Sequence, residues 1–123
     1  MTLRCLIVDD NQSFLEAARV LLEREGLSVA GLASTGDDAL RQVEALRPDV
    51  VLVDVFLGNE SGLELARRLV EDGCGNQAIV ILISSHAEAD LADLIAASPA
   101  AGFVPKTELS ARTIRRIVDG RPS

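Results

Sequence analysis

The 123-residue sequence predicts an α/β domain of the (βα)5 kind, a doubly wound five-stranded parallel sheet with helices on both faces. Three observations carry that expectation. Aliphatic runs alternate with stretches of helical periodicity throughout, with no repeat, low-complexity tract or internal linker. Two of the runs, Val50–Val53 and Ile79–Ile83, are apolar at every position, the pattern of central strands buried on both faces. Nearly half the residues are apolar, yet only three are aromatic, all Phe, so the core must be filled by Val, Leu, Ile and Ala.

The elements follow in order. Leu3 to Val8 reads as the first strand, and Phe14, Ala18, Leu21 and Leu22 repeat at helical spacing until Gly26. Ser28 to Ala33 is a weaker strand containing Gly31. Ala39, Leu40, Val43 and Leu46 mark the second helix, which Pro48 ends. After the Val50–Val53 strand comes a polar turn, Gly58-Asn59-Glu60-Ser61, and then a helix carrying Leu63, Ala66, Leu69 and Val70. The Ile79–Ile83 strand leads to a helix with Leu91, Leu94 and Ile95 that ends near Pro99. Gly102-Phe103-Val104 is the fifth strand, and Ile114, Ile117 and Val118 belong to the last helix, before Gly120 and Pro122. Gly36 and Gly62 fall where helices begin. One domain over residues 1–119 is expected, with 120–123 as a tail or the start of a linker.

Composition narrows the function classes. No apolar stretch approaches the roughly 20 residues that span a bilayer, and the N-terminus runs straight into a strand, so a cytoplasmic protein without membrane association is expected. Cys5 and Cys74, with a single His in the chain, make no metal cluster and read as reduced thiols. The net charge of −7 argues against direct nucleic-acid binding by this domain. Charge is uneven: residues 1–101 hold seven Arg against 17 acids, net −10, and residues 102–123 hold five basic and two acidic residues, net +3.

In open sheets of this class, ligands bind beyond the carboxyl ends of the strands. The residues at those ends are Asp9 and Asp10, Asp54, Ser84 and Ser85, and Lys106. Asp9 has an alternative use as a helix cap, although Asn11 can serve there. Three close carboxylates repel one another, and a divalent cation removes the conflict. Mg2+ suits oxygen ligands and keeps positions open for phosphate. An ionised Asp beside it can attack a phosphoryl group, whose three equatorial oxygens then need partners: Mg2+, the Lys106 ammonium and the Ser84 hydroxyl.

The order and spacing of these motifs resemble the receiver domain of bacterial two-component response regulators. The carriers are Leu6-Ile7-Val8-Asp9-Asp10, Val51-Leu52-Val53-Asp54 with Gly62 eight residues on, Ile81-Leu82-Ile83-Ser84-Ser85, and Phe103-Val104-Pro105-Lys106. The resemblance implies the flavodoxin-like strand order 2-1-3-4-5, with Asp54 as phospho-acceptor. Asp10 would ligate Mg2+ directly together with Asp54 and the Phe56 backbone carbonyl, and Asp9 would act through water. Ser84 and Phe103 take the switch positions, and Lys106 that of the phosphate-binding lysine. Such a domain is a signalling switch, not an enzyme beyond its own phosphorylation and dephosphorylation. It takes its phosphoryl group from a sensor histidine kinase or phosphotransferase and acts on an output partner or a fused output domain. A homodimer through the 87–118 face is a further expectation.

Three departures from the family pattern stand out. Gly58 replaces a common Pro and should loosen the loop after the acceptor. Thr107 follows the lysine, as in receivers that precede a helix-turn-helix output domain. Phe56 and His86 flank the path of the hydrolytic water in the family and are expected to tune phosphoryl lifetime. Two other readings stay open: a degenerate receiver acting as a phosphorylation-independent interaction module, and a phosphohydrolase. The second would usually place an acid two residues beyond Asp54, where this sequence has Phe56.

Overall fold

The structure, a computed structural model, describes residues 3–71, 78–85 and 88–120. Cys74 and His86 lie outside the described residues. In chain order the elements are β1 (Arg4–Val8), α1 (Gln12–Arg24), β2 (Ser28–Ala33), α2 (Gly36–Leu46) and β3 (Val50–Asp54). Two short strands follow, β4 (Phe56–Leu57) and β5 (Glu60–Ser61), then α3 (Gly62–Glu71), β6 (Ile79–Ser84), α4 (Glu88–Ala96) and β7 (Gly102–Pro105). A 3-10 turn over Lys106–Glu108 leads into α5 (Ala111–Asp119).

The main sheet has five parallel strands in the order β2-β1-β3-β6-β7. This is the predicted order 2-1-3-4-5, with β4 and β5 set aside in their own two-stranded sheet. The continuous aliphatic runs do what both-face burial requires. Leu6 and Val8 of β1, Val51 and Val53 of β3, and Val80 and Leu82 of β6 enter one core with residues of α2, α3 and α4. Their alternates, Cys5 and Ile7, Val50 and Leu52, Ile81 and Ile83, enter a second core with residues of α1 and α5. A side-chain period of two thus feeds both faces of one sheet. Cys5 sits wholly inside the second core, and burial, with the charge of Asp49 adding to it, pushes its thiol up to about 11. It is an inert packing residue.

Local sequence chemistry fixes where the helices begin. Asn11, not Asp9, caps α1: its side chain accepts from the Phe14 amide at 3.1 Å. Thr35 caps α2 in the same way through Asp38, and Ser110 with Thr113 forms a capping box on α5. α2 stops two residues before Pro48, at Leu46, with Arg47 in the left-handed region (φ 49°), and the Arg4 guanidinium donates to the freed carbonyls of Leu46 and Arg47 at 2.7 and 3.2 Å.

The segment after Asp54 forms a hairpin where the sequence pattern predicts only a polar turn. Phe56 pairs with Ser61 and Leu57 with Glu60 in an antiparallel hairpin, with Gly58-Asn59 as its two-residue loop. Gly58 has φ +56° and Asn59 is not among the positive-φ residues, the pattern of a type II′ turn with Gly first. Proline, with φ fixed near −65°, is excluded from that position. The buried Leu57 anchors the hairpin in the core beside α3. Among the described residues, no helix is long and apolar enough to cross a membrane.

Candidate functional site at the carboxyl edge

The site lies where β1, β3, β6 and β7 end. Asp9 follows β1 directly, is fully buried, and holds its place by donating its own amide to Ala33 O (3.0 Å) and accepting the Asn11 amide on Oδ1 (2.9 Å). Asn11 thereby relieves Asp9 of capping α1. Asp10, next in the chain, is exposed. Asp54 ends β3 at 6% exposure, and its Oδ1 accepts the Phe56 amide at 3.1 Å. One ligand oxygen from each of Asp9, Asp10 and Asp54 lies within 4.8 Å of the others.

Lys106 reaches into this cluster from the 3-10 turn after β7. Its Nζ stands 2.6 Å from Asp9 Oδ2 and 3.2 Å from Asp54 Oδ2. The ring of Phe14, at the start of α1, covers the ammonium with its centroid 4.4 Å away. Burial alone would pull the Lys106 ammonium down; its contact with Asp9 and the charges of Asp54 and Asp9 outweigh that and leave it raised. Burial is also the largest influence on Asp54, and with the Asp9 charge it holds this carboxyl above the usual carboxylate range, against the Phe56 amide and Lys106.

Ser84 is fully buried at the end of β6, one residue past Ile83, which is the partner of Asp54 in the sheet. Phe103 pairs with Leu82 and is half-buried against the core shared with α4. The structure therefore brings Asp9, Asp10, Asp54 and Lys106 together and sets Ser84 and Phe103 on the two neighbouring strands. Phe56 sends its side chain outward, 48% exposed, while its backbone stays on Asp54. Sequence reasoning missed the cover of Phe14, whose helical spacing reads as core, and the closeness of Gly62. A Cβ on Gly62 would be driven into the Asp54 carbonyl oxygen, so the residue is more than a helix start.

The donor set fits a hard divalent cation. All three side chains offer carboxylate oxygens. Asp9 Oδ2 is buried and, beyond its ion pair with Lys106, accepts no aligned hydrogen bond. Three carboxylate side chains face one ammonium.

The raised Asp54 pKa has a stability consequence with a definite sign. A carboxyl whose folded pKa exceeds its unfolded one contributes most below its ordinary value, and the contribution is lost as pH rises through the folded pKa. Without divalent cations, Asp54→Asn is therefore expected to melt above the parent at neutral pH, the gap closing as pH falls through the raised pKa toward the ordinary carboxylate value. Circular-dichroism melts in EDTA from pH 4 to 8 would show it; a gap independent of pH would contradict it.

A doubly wound sheet with a carboxylate trio and a lysine on its carboxyl rim defines a class of α/β domain that works at its strand ends. The family model described as the response regulator receiver domain matches residues 5–119. The chain belongs to that family. It is 31% identical over 123 residues to the response regulator GacA of Pseudomonas aeruginosa, covering 97% of this chain and 56% of that protein. Among solved structures, the signal receiver domain of the putative response regulator NarL from Mycobacterium tuberculosis superposes with a TM-score of 0.82 at 28% identity, over 98% of both chains. A response regulator from Burkholderia pseudomallei with a phosphorylated aspartic acid, a calcium ion and citrate superposes with a TM-score of 0.76 at 26% identity, over 93% of this chain and 65% of that one. The chain spans about half the length of GacA.

Proposed function

We propose that this receiver domain is a phosphorylation switch in which Asp54 accepts a phosphoryl group from a sensor histidine kinase or a phosphotransferase. The observation that carries the reading is the contact of Lys106 with both Asp9 and Asp54 inside a trio of carboxylates. An Asp54 carboxylate oxygen attacks phosphorus, the bond from phosphorus to the donor's imidazole nitrogen breaks, and the electron pair leaves with the imidazole. Lys106 lies where its ammonium can turn from Asp54 to a phosphoryl oxygen, and the Ser84 hydroxyl offers a second donor. Asp10, Asp54 and the Phe56 carbonyl would hold Mg2+, with Asp9 acting through water. Bound there, Mg2+ would neutralise the charge of the carboxylates and of the incoming phosphoryl group. The phosphorylated Burkholderia relative supports the assignment by likeness.

The new dianion would draw in Ser84 and Lys106, with Phe103 following on the face of α4, a shift between pre-existing populations. The output partner, or a fused output domain of the helix-turn-helix kind, would read the 87–118 face, which also offers a homodimer surface. The setting is cytoplasmic, residues 1–119 are the receiver, and Phe56 and His86 tune phosphoryl lifetime. The domain turns over no other substrate, since the position where a phosphohydrolase needs its second acid is Phe56. Incubation with acetyl phosphate and Mg2+ is expected to label the parent on one residue. Asp54→Asn should abolish the label; label that persists at parental level would overturn the assignment.

A further inference from the structure

The geometry points to Glu60 as a positioning residue for the Asp54 site, acting through a tether between the β4–β5 hairpin and the start of α2. The inference deepens the proposed phosphorylation switch and rests on that reading. Glu60 is exposed and 24 residues from Gly36, yet both its carboxylate oxygens approach the Gly36 amide, at 3.1 and 3.3 Å. That amide is the first of α2, whose third is already taken by the Thr35 hydroxyl. A carboxylate at a helix N-terminus satisfies an unpaired donor and meets the positive end of the helix dipole. The socket is shaped for it: a Cβ on Gly36 would lie 2.7 Å from Glu60 Oε1.

What the tether holds is the wall of the acidic cluster. Glu60 pairs with Leu57 in the hairpin. In the same hairpin the Phe56 amide donates to Asp54 Oδ1, and Gly58 lies so close to Asp10 that a Cβ on it would be 3.2 Å from Asp10 Oδ2. At its end the Ser61 hydroxyl accepts the Glu64 amide at 3.2 Å and caps the first turn of α3, which begins at the next residue. The hairpin thus runs directly into α3 after Ser61, is tied to α2 by Glu60, holds Asp54 through the Phe56 amide and passes beside Asp10 at Gly58. Release of the α2 tie lets Phe56 and Gly58 drift from Asp54 and Asp10, and oxygen geometry is what Mg2+ is strict about.

The test compares the full chain with Glu60→Ala, Glu60→Gln, Gly36→Ala and the Glu60→Ala/Gly36→Ala pair. Amide exchange at Gly36 and Phe56 is read by NMR without metal, and Mg2+ affinity by calorimetry. Glu60→Ala is expected to speed exchange at both amides and to weaken Mg2+ binding about five- to tenfold. Gln, which keeps one acceptor oxygen, should fall between. Gly36→Ala, whose Cβ displaces the carboxylate, should copy Glu60→Ala, and the pair should lose no more than either alone. By reciprocity, saturating Mg2+ should slow Gly36 exchange in the parent and not in Glu60→Ala. Faster exchange at Gly36 with Phe56 exchange and Mg2+ affinity unchanged would reduce Glu60 to a local cap and overturn the inference. A parent chain that binds no Mg2+ would instead overturn the proposed function, and the Phe56 amide would still decide the tether.

Discussion

Replacing Lys106 with Met is expected to lower the melting temperature by at least about 10 °C at neutral pH in EDTA. Asp9 has no exposure and Lys106 is the only cation that any described contact gives it. Removing the ammonium leaves Asp9 and Asp54 buried beside each other with their charge uncompensated. Breaking a buried pair on one side costs about 3–5 kcal/mol. The alternative is to protonate Asp54, which burial and the Asp9 charge already hold above the usual carboxylate range, at a cost below the about 4 kcal/mol that an ordinary carboxyl needs at pH 7. For a domain of this size each kcal/mol is worth about 3–5 °C. Three further results should accompany the fall. Mg2+ should restore part of the stability, acid should restore part by protonating the cluster, and Asp9→Asn in the same chain should restore most of it. A Lys106→Met protein that melts with the parent in EDTA would show that the ammonium does not neutralise the cluster. Thermal melts of the parent, Lys106→Met and Lys106→Met/Asp9→Asn at pH 5 and pH 7.5, in EDTA and in Mg2+, measure all of these.

This cluster was legible in sequence because both-face burial leaves so little freedom. A run such as Val50–Val53 has to be a central strand, and a carboxylate at its end, Asp54, has to sit at the sheet edge with its counterparts from β1. Lys106 was legible only through that edge, since one lysine after a four-residue strand carries no signal of its own. The hairpin was not read, for a physical reason. Strands of two residues have no periodicity, and Leu57 is a single buried residue in a polar stretch. Its one visible mark is Gly58 as the first of two loop residues. The contacts of Phe14 with Lys106 and of Glu60 with Gly36 join distant segments, and no local pattern announces them. They appear only when the crossovers bring the helix N-termini to the same rim.

Gly62→Ala carries the other large effect, and its sign runs against helix propensity. In the first turn of an ordinary helix, Gly to Ala gains roughly 0.5–1 kcal/mol because the chain loses less entropy on folding. Here the added methyl would overlap the Asp54 carbonyl oxygen and press on the Asp54 carbonyl carbon and Val55 Cα, at 2.7 and 3.0 Å. These are backbone atoms of the strand end, held by the Val55 amide on Ile83 O and by the Gly62 amide on Val55 O, both at 2.9 Å. No side chain is there to swing aside. Either α3 withdraws and breaks the Gly62 bond, or the end of β3 moves and takes Asp54 with it. Overpacking of a tight contact costs about 1–3 kcal/mol, and with a lost buried hydrogen bond the net expectation is a destabilisation of about 2–4 kcal/mol. The same displacement should weaken Mg2+ binding and slow acetyl-phosphate labelling of Asp54 at least tenfold, measured at a temperature where the variant is fully folded. A Gly62→Ala protein as stable as the parent, with its labelling rate intact, would mean that α3 can back away freely and that the close approach of Gly62 does not set the acceptor.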